Sequence, residues 1–117
     1  EESLRTALKD EDENVMVFTH LSHIYGQGSS IYTTYFFRCA ETYEGTLSRW
    51  KKLKSNTCDV IAQGRATISH QHGVGRDHAP YMHAEKGELG MRVIETLIKD
   101  FDPEKRLNPG VLIEDDK

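Results

Sequence analysis

Two imidazoles, His70 and His72, stand two positions apart in the segment Thr67-Ile68-Ser69-His70-Gln71-His72-Gly73-Val74-Gly75-Arg76-Asp77-His78. If the segment ends a strand, that spacing turns both rings to one side. Histidine titrates close to neutrality, so such a pair suits proton transfer. Gly73 and Gly75 follow at once; they permit positive φ and let a flat ligand approach the main chain closely. Arg76 offers a guanidinium fork for an anionic group such as phosphate. Two plainer readings stand beside this one. The histidines could be hydrogen-bonded surface groups. Alternatively, His70, His72, His78 and His83 could supply three ligands to a metal, although no carboxylate or cysteine falls at a recognisable metal spacing.

A second candidate lies upstream. Tyr32 and Tyr35 are three apart in an aromatic strand pattern, so they face opposite sides of a sheet and at most one is core. Either both simply pack with their hydroxyls in solvent, or one phenol projects into a site beside the histidines as an acid, base or hydrogen-bond donor. Trp50, at helical spacing, is expected in the core. Arg38 is expected to be solvated.

The elements that must position these groups follow from pattern. Val15 to Ile24 reads as a strand with polar side chains on one face. Ser30 to Cys39, aromatic and β-branched, is the strongest strand signal. The two are expected to pair as a hairpin across Tyr25-Gly26-Gln27-Gly28. From Thr42 to Gln63, apolar residues recur at three- and four-residue intervals and predict an amphipathic helix with a left-handed stop at Gly64. Ala66 to His70 reads as a short third strand. Residues 73–80 form a loop, and Gly87 to Phe101 a second helix laying Leu89, Val93, Leu97, Ile98 and Phe101 against an apolar partner until Asp102-Pro103 stops it. Val111-Leu112-Ile113, after an Asn108-Pro109-Gly110 turn, needs a partner sheet or groove. Residues 1–13 are polar, with too little apolar surface to be more than an edge or linker. The fold class is α+β, a small antiparallel sheet covered on one face by two helices in a ferredoxin-like arrangement. The domain is expected over 14–113, followed by a polar tail, 114–117.

Length and composition bound the alternatives. A chain of 117 residues, 37% hydrophobic and 29% charged, makes one modest core and leaves no room for a large cofactor-binding fold. A net charge of -4 with interleaved signs argues against nucleic acid as a partner. No apolar run is long enough to span a bilayer and no signal-peptide pattern opens the chain. Cys39 and Cys58 form neither a CxxC pair nor a disulfide framework, so a reducing cytoplasm is the expected compartment. The first residue, Glu1, reads as the middle of a polar helix, which suggests a piece of a longer protein.

With these residues in view, Ser69-His70-Gln71-His72-Gly73-Val74-Gly75 resembles the Ser-His-His-His-Gly-Val-Gly loop of the alkyl-dihydroxyacetonephosphate synthase family. Thr19-His20-Leu21-Ser22-His23-Ile24-Tyr25 with Ile31-Tyr32 is similar to the strand pair preceding the helix in that family. Phe101-Asp102-Pro103 with Leu107-Asn108-Pro109-Gly110 resembles an ending shared by FAD-linked oxidases more widely. The resemblance implies a cap domain closing over the flavin of an FAD domain in the same parent chain, with peripheral membrane contact and a homodimer left open for that parent. It implies ether-lipid synthesis through a flavin adduct, in which a fatty alcohol replaces a fatty acid, or the oxidation of a hydroxy acid by relatives with the same cap. By position, Tyr32, His70 and His72 take the catalytic places. Gln71, Gly73, Gly75, Arg76 and Asn108 lie near substrate or flavin. Gln71 departs from the family's middle histidine, and a glutamine amide can orient a substrate but cannot take up a proton near neutral pH.

Overall fold

Residues 1–14 of the chain carry more of the fold than their polarity suggests. In the computed structural model, which describes residues 1–114, they form helix α1 (Glu2–Thr6) and a 3-10 turn (Lys9–Glu11). Leu4, Ala7 and Leu8 are buried there and join Val15, Val17 and Leu53 in one hydrophobic cluster, with Tyr35 and Phe37 packed against it. Full burial of a leucine contributes roughly 1.5–3 kcal/mol, so three apolar positions suffice to order the segment. Its charges are also engaged. Asp10 pairs with Lys52 at 2.5 Å and Glu11 with Arg49 at 2.7 Å. Hydrogen bonding from Lys52 holds the Asp10 carboxyl below its ordinary value. The segment expected to be an edge or linker is thus part of the core.

The hairpin forms as the β-branched and aromatic runs require. Strand β1 (Met16–Tyr25) pairs antiparallel with β2 (Gly28–Phe36) across the Gly26-Gln27 connection. Val17 and Tyr35 sit opposite one another and point into the core, while Tyr32 lies on the other face with Met16, Phe18 and Phe36. The expected division between the two tyrosines is therefore present: Tyr35 packs and Tyr32 does not.

Helix α2 (Tyr43–Gln63) begins where Thr42 accepts the Gly45 N–H through its hydroxyl at 3.1 Å, a side-chain N-cap. It buries Leu53 and Cys58, and Trp50 is only partly buried. The helix ends at Gln63 as expected, but the left-handed residue is Arg65 rather than Gly64. Arg65 takes the left-handed conformation at φ 53, Ala66 N–H reaches Ile61 O, and Arg65 N–H reaches Ala62 O. This is the hydrogen-bond pattern of a Schellman stop with a non-glycine at its turning point.

The third strand expected at 66–70 is not formed; β1 and β2 are the sole strands among the described residues. The Ile68 N–H that a ladder would use is instead donated to the Glu85 carboxylate at 2.8 Å. A 3-10 turn (Ala79–Tyr81) leads into helix α3 (Met82–Phe101), which is kinked at Gly87, where φ is 65 and ψ 173. Burial on α3 is carried by Met82 and Met91, whereas Leu89, Val93, Leu97 and Phe101 of the expected apolar stripe are exposed. The chain divides into two compact units, Glu1–Val60 and Ile61 onward, with the boundary inside α2. The result is a small α+β fold with a two-stranded antiparallel sheet. Residues 115–117 of the expected polar tail lie outside the described residues. Among the described residues no helix is long and apolar enough to cross a membrane.

Candidate functional site

The candidate residues fall into two groups, one on each unit. On the first, the β-ladder presents Tyr32 on the face opposite the core. Its cross-strand neighbour is His20, and the two rings stack with centroids 5.3 Å apart and planes 23° from parallel. Further along the same ribbon His23 and Tyr25 stack at 6.3 Å and 9°. Phe18 and Phe36 meet edge to face at 6.2 Å. Phe18 and Phe36 are more than half exposed and Tyr32 is 43% exposed. The ribbon therefore offers an open aromatic wall carrying a phenol and imidazoles, an arrangement suited to packing against a flat ring.

On the second unit, His70, Gln71 and His72 lie on a loop rather than at a strand end, so strand alternation no longer aims the two imidazoles. Gln71 takes φ 67, Gly73 φ 77 and Gly75 φ 61. The Ser69 hydroxyl donates to Gly73 O and closes the loop around Gln71. His70 is half-buried and His72 exposed.

Arg76 was expected to meet an anion; its guanidinium donates to Pro109 O at 2.9 Å. Leu112 N–H donates to Gly75 O at 3.2 Å. Between them these two bonds fasten the Asn108-Pro109-Gly110 turn to the glycine end of the histidine loop. Asn108 itself takes φ 49, a conformation asparagine tolerates well, and its carbonyl accepts from Val111 N–H. Asp102 sets the approach to this turn, accepting from Arg106 N–H at 3.0 Å and Leu107 N–H at 2.7 Å. The two motifs, far apart in sequence, are thus one hydrogen-bonded assembly within the second unit.

Sequence patterns did not single out His20 or Glu85. Pairing Tyr32 across the hairpin was the available signal for His20, and it required the register. Glu85 lines a depression of about 320 Å³ together with Arg65, Thr67, Ile68 and Tyr81. Desolvation pushes its carboxyl up, but the Ile68 N–H, Lys86 and His78 together bring it below the ordinary carboxylate value. Among the described residues no three histidine, cysteine, aspartate or glutamate side chains gather as a metal site.

The chain belongs to the family of FAD linked oxidases, C-terminal domain, which it matches over residues 2–112. It is 30% identical over 95% of its length to an alkyldihydroxyacetonephosphate synthase of Trypanosoma brucei brucei. It is 28% identical over 90% of its length to the synthase of that name in Dictyostelium discoideum. It is also 25% identical, over 93% of its length, to the uncharacterized FAD-linked oxidoreductase YgcU of Escherichia coli (strain K12). The chain spans 18%, 17% and 23% of the lengths of these relatives. No solved structure matches it.

Proposed function

We propose that this chain is the substrate-side domain of a longer FAD-dependent enzyme that exchanges the acyl group of an acyl-dihydroxyacetonephosphate for an alkyl group, the step that makes an ether lipid. In this reading Tyr32, His70 and His72 handle protons, while Gln71 and the glycine-edged loop orient the substrate. The observation that carries the proposal is the placement of Tyr32: Tyr35, three residues along the same strand, packs against the core, yet Tyr32 stands on an open face beside an imidazole. The two synthases among its relatives support the choice of reaction.

The aromatic wall fits one side of a flavin ring. The donor set does not fit the rest of the cofactor. Thr42 already caps the N-terminus of α2, so that helix offers no cradle for a diphosphate. The cofactor would therefore be held chiefly by an FAD domain of the parent, with Tyr32, Phe18 and Phe36 as a wall against its ring. The flavin supplies the electron-pair chemistry when bound. The phenol of Tyr32 can give or accept a proton at its hydroxyl, and His70 and His72 can each do so at their ring nitrogens.

A second reading, oxidation of a 2-hydroxy acid, is favoured by Gln71. An amide at that position cannot accept a proton, and a relative carrying the name of an FAD-linked oxidoreductase also matches. Anaerobic mixing of the full-length, FAD-loaded enzyme with acyl-dihydroxyacetonephosphate and labelled fatty alcohol separates the two. Fatty acid release with uptake of label and no net loss of flavin absorbance is expected. Bleaching of the flavin by hydroxy acids alone would replace the first reading by the second. Tyr32→Phe should lower turnover by roughly 10²–10⁴ in the reaction that is found, as measured by single-turnover kinetics.

A further inference from the structure

The hairpin has one irregularity, and it lies beside Tyr32. From the turn outward Tyr25 faces Gly28, Ile24 faces Ser29 and His23 faces Ser30. Continued without interruption, that register would set Leu21 opposite Tyr32 and His20 opposite Thr33. The pairing instead shifts between Leu21 and His23, so that Ser22 is extra, Leu21 faces Ile31 and His20 faces Tyr32. Inserting one residue turns everything beyond it to the other face of the strand, which is how bulges re-aim side chains. His20 and His23, three positions apart, would occupy opposite faces of a regular strand. With Ser22 bulged, both share the face of Tyr32.

The shift has a direct product in the stacked rings of His20 and Tyr32, 5.3 Å apart and 23° from parallel. Tyr32 is 43% exposed on a two-stranded ribbon, and exposed side chains exchange rotamers within nanoseconds. A parallel ring on the directly opposed position removes those alternatives, because swinging Tyr32 away forfeits the contact. We propose that His20 is a positioning residue for Tyr32, brought opposite it by the Ser22 bulge, and that its stacked ring fixes the direction in which the phenol points. The inference rests on the reading of Tyr32 as a proton-handling group. Its physical basis is that a reacting group displaced by about 1 Å loses on the order of 10²-fold in rate.

The role is one of packing, so it separates from proton chemistry by substitution. His20→Ala removes the ring, and His20→Phe keeps a flat ring without nitrogens. In the full-length, FAD-loaded enzyme, His20→Ala should lower kcat roughly tenfold with KM unchanged, and His20→Phe should restore it to within about threefold of the parent. An independent readout is NMR of the same proteins carrying ring-labelled tyrosine, with the Tyr32 signal assigned by its absence in Tyr32→Phe. That signal should lose its ring-current shift in His20→Ala and retain one in His20→Phe. An unmoved Tyr32 signal in His20→Ala overturns the proposal. So does a His20→Phe enzyme as slow as His20→Ala, since the imidazole nitrogens would then be what matters. If Tyr32→Phe leaves turnover intact, the catalytic reading of Tyr32 fails, while the NMR shift still reports whether His20 orients the ring.

Discussion

Tyr32 and the histidine loop are supported in different ways. The ribbon bearing Tyr32 is anchored at its open end, where Val17 joins a cluster of Leu4, Ala7, Leu8, Val15 and Leu53 and Tyr35 packs against it, and the ladder fixes each residue's neighbours. The loop bearing His70 and His72 has no ladder. Residues Gln71, Gly73 and Gly75 take positive φ, and single side-chain bonds from Ser69 and Arg76 stand in for packing. Burial in the second unit is spread over Ile68, Ala79, Met82 and Met91 rather than gathered in the hydrophobic cluster of the first. The difference teaches that a phenol can be placed by a ladder that a core anchors at one end, whereas a loop of left-handed residues keeps its shape through its backbone conformations and a few hydrogen bonds.

Breaking the core should be the larger insult, and it should be felt on one side. Leu8 is fully buried, and Leu8→Ala should cost about 2–5 kcal/mol of stability, read by urea denaturation. Hydrogen exchange should show the loss of protection in β1 and β2. Equal loss across α3 would mean that the two units unfold as one, and the contrast drawn above would not hold.

A smaller effect is expected in the loop. At Gly75, φ is 61 and a Cβ would meet no atom within 4 Å, so Gly75→Ala isolates the backbone term. Left-handed alanine costs roughly 1–2 kcal/mol, and the change should appear as faster exchange at Leu112 N–H, which is bonded to Gly75 O. Unaltered exchange there would show that the loop can relax around a side chain.

The smallest effect is a pH dependence. The folded Glu85 carboxyl lies below its ordinary value of 4.5, so its contribution to stability is complete above 4.5 and is lost as the pH falls through the lower folded value. Protection of the Ile68 amide should fall on acidification below 4.5 in the parent, and Glu85→Gln should remove that dependence. Acid-insensitive protection in the parent would assign the order of this segment to something other than the carboxylate.

Much of this was legible without coordinates because it is local. The β-branched and aromatic runs specified the hairpin, the three- and four-residue spacing specified the helix over residues 43–63, and the spacing of Tyr32 and Tyr35 placed them on opposite faces. The histidines, glycines and Asn-Pro-Gly ending were visible as letters, but their joining through Arg76 and Gly75 was not. Local pattern misled where a distant group won the hydrogen bond. Ile68 looked like strand, and Glu85, from helix α3, took its N–H. The leucines of residues 1–13 looked too few, since their value depends on the cavity that receives them.

By itself, then, the sequence determined the types of group available for chemistry and the elements that carry them, because propensity and periodicity act over a few residues. Only the tertiary structure decided who stands next to whom. The Ser22 bulge, which sets His20 and not Leu21 against Tyr32, is a matter of register, and register is settled between strands rather than within one.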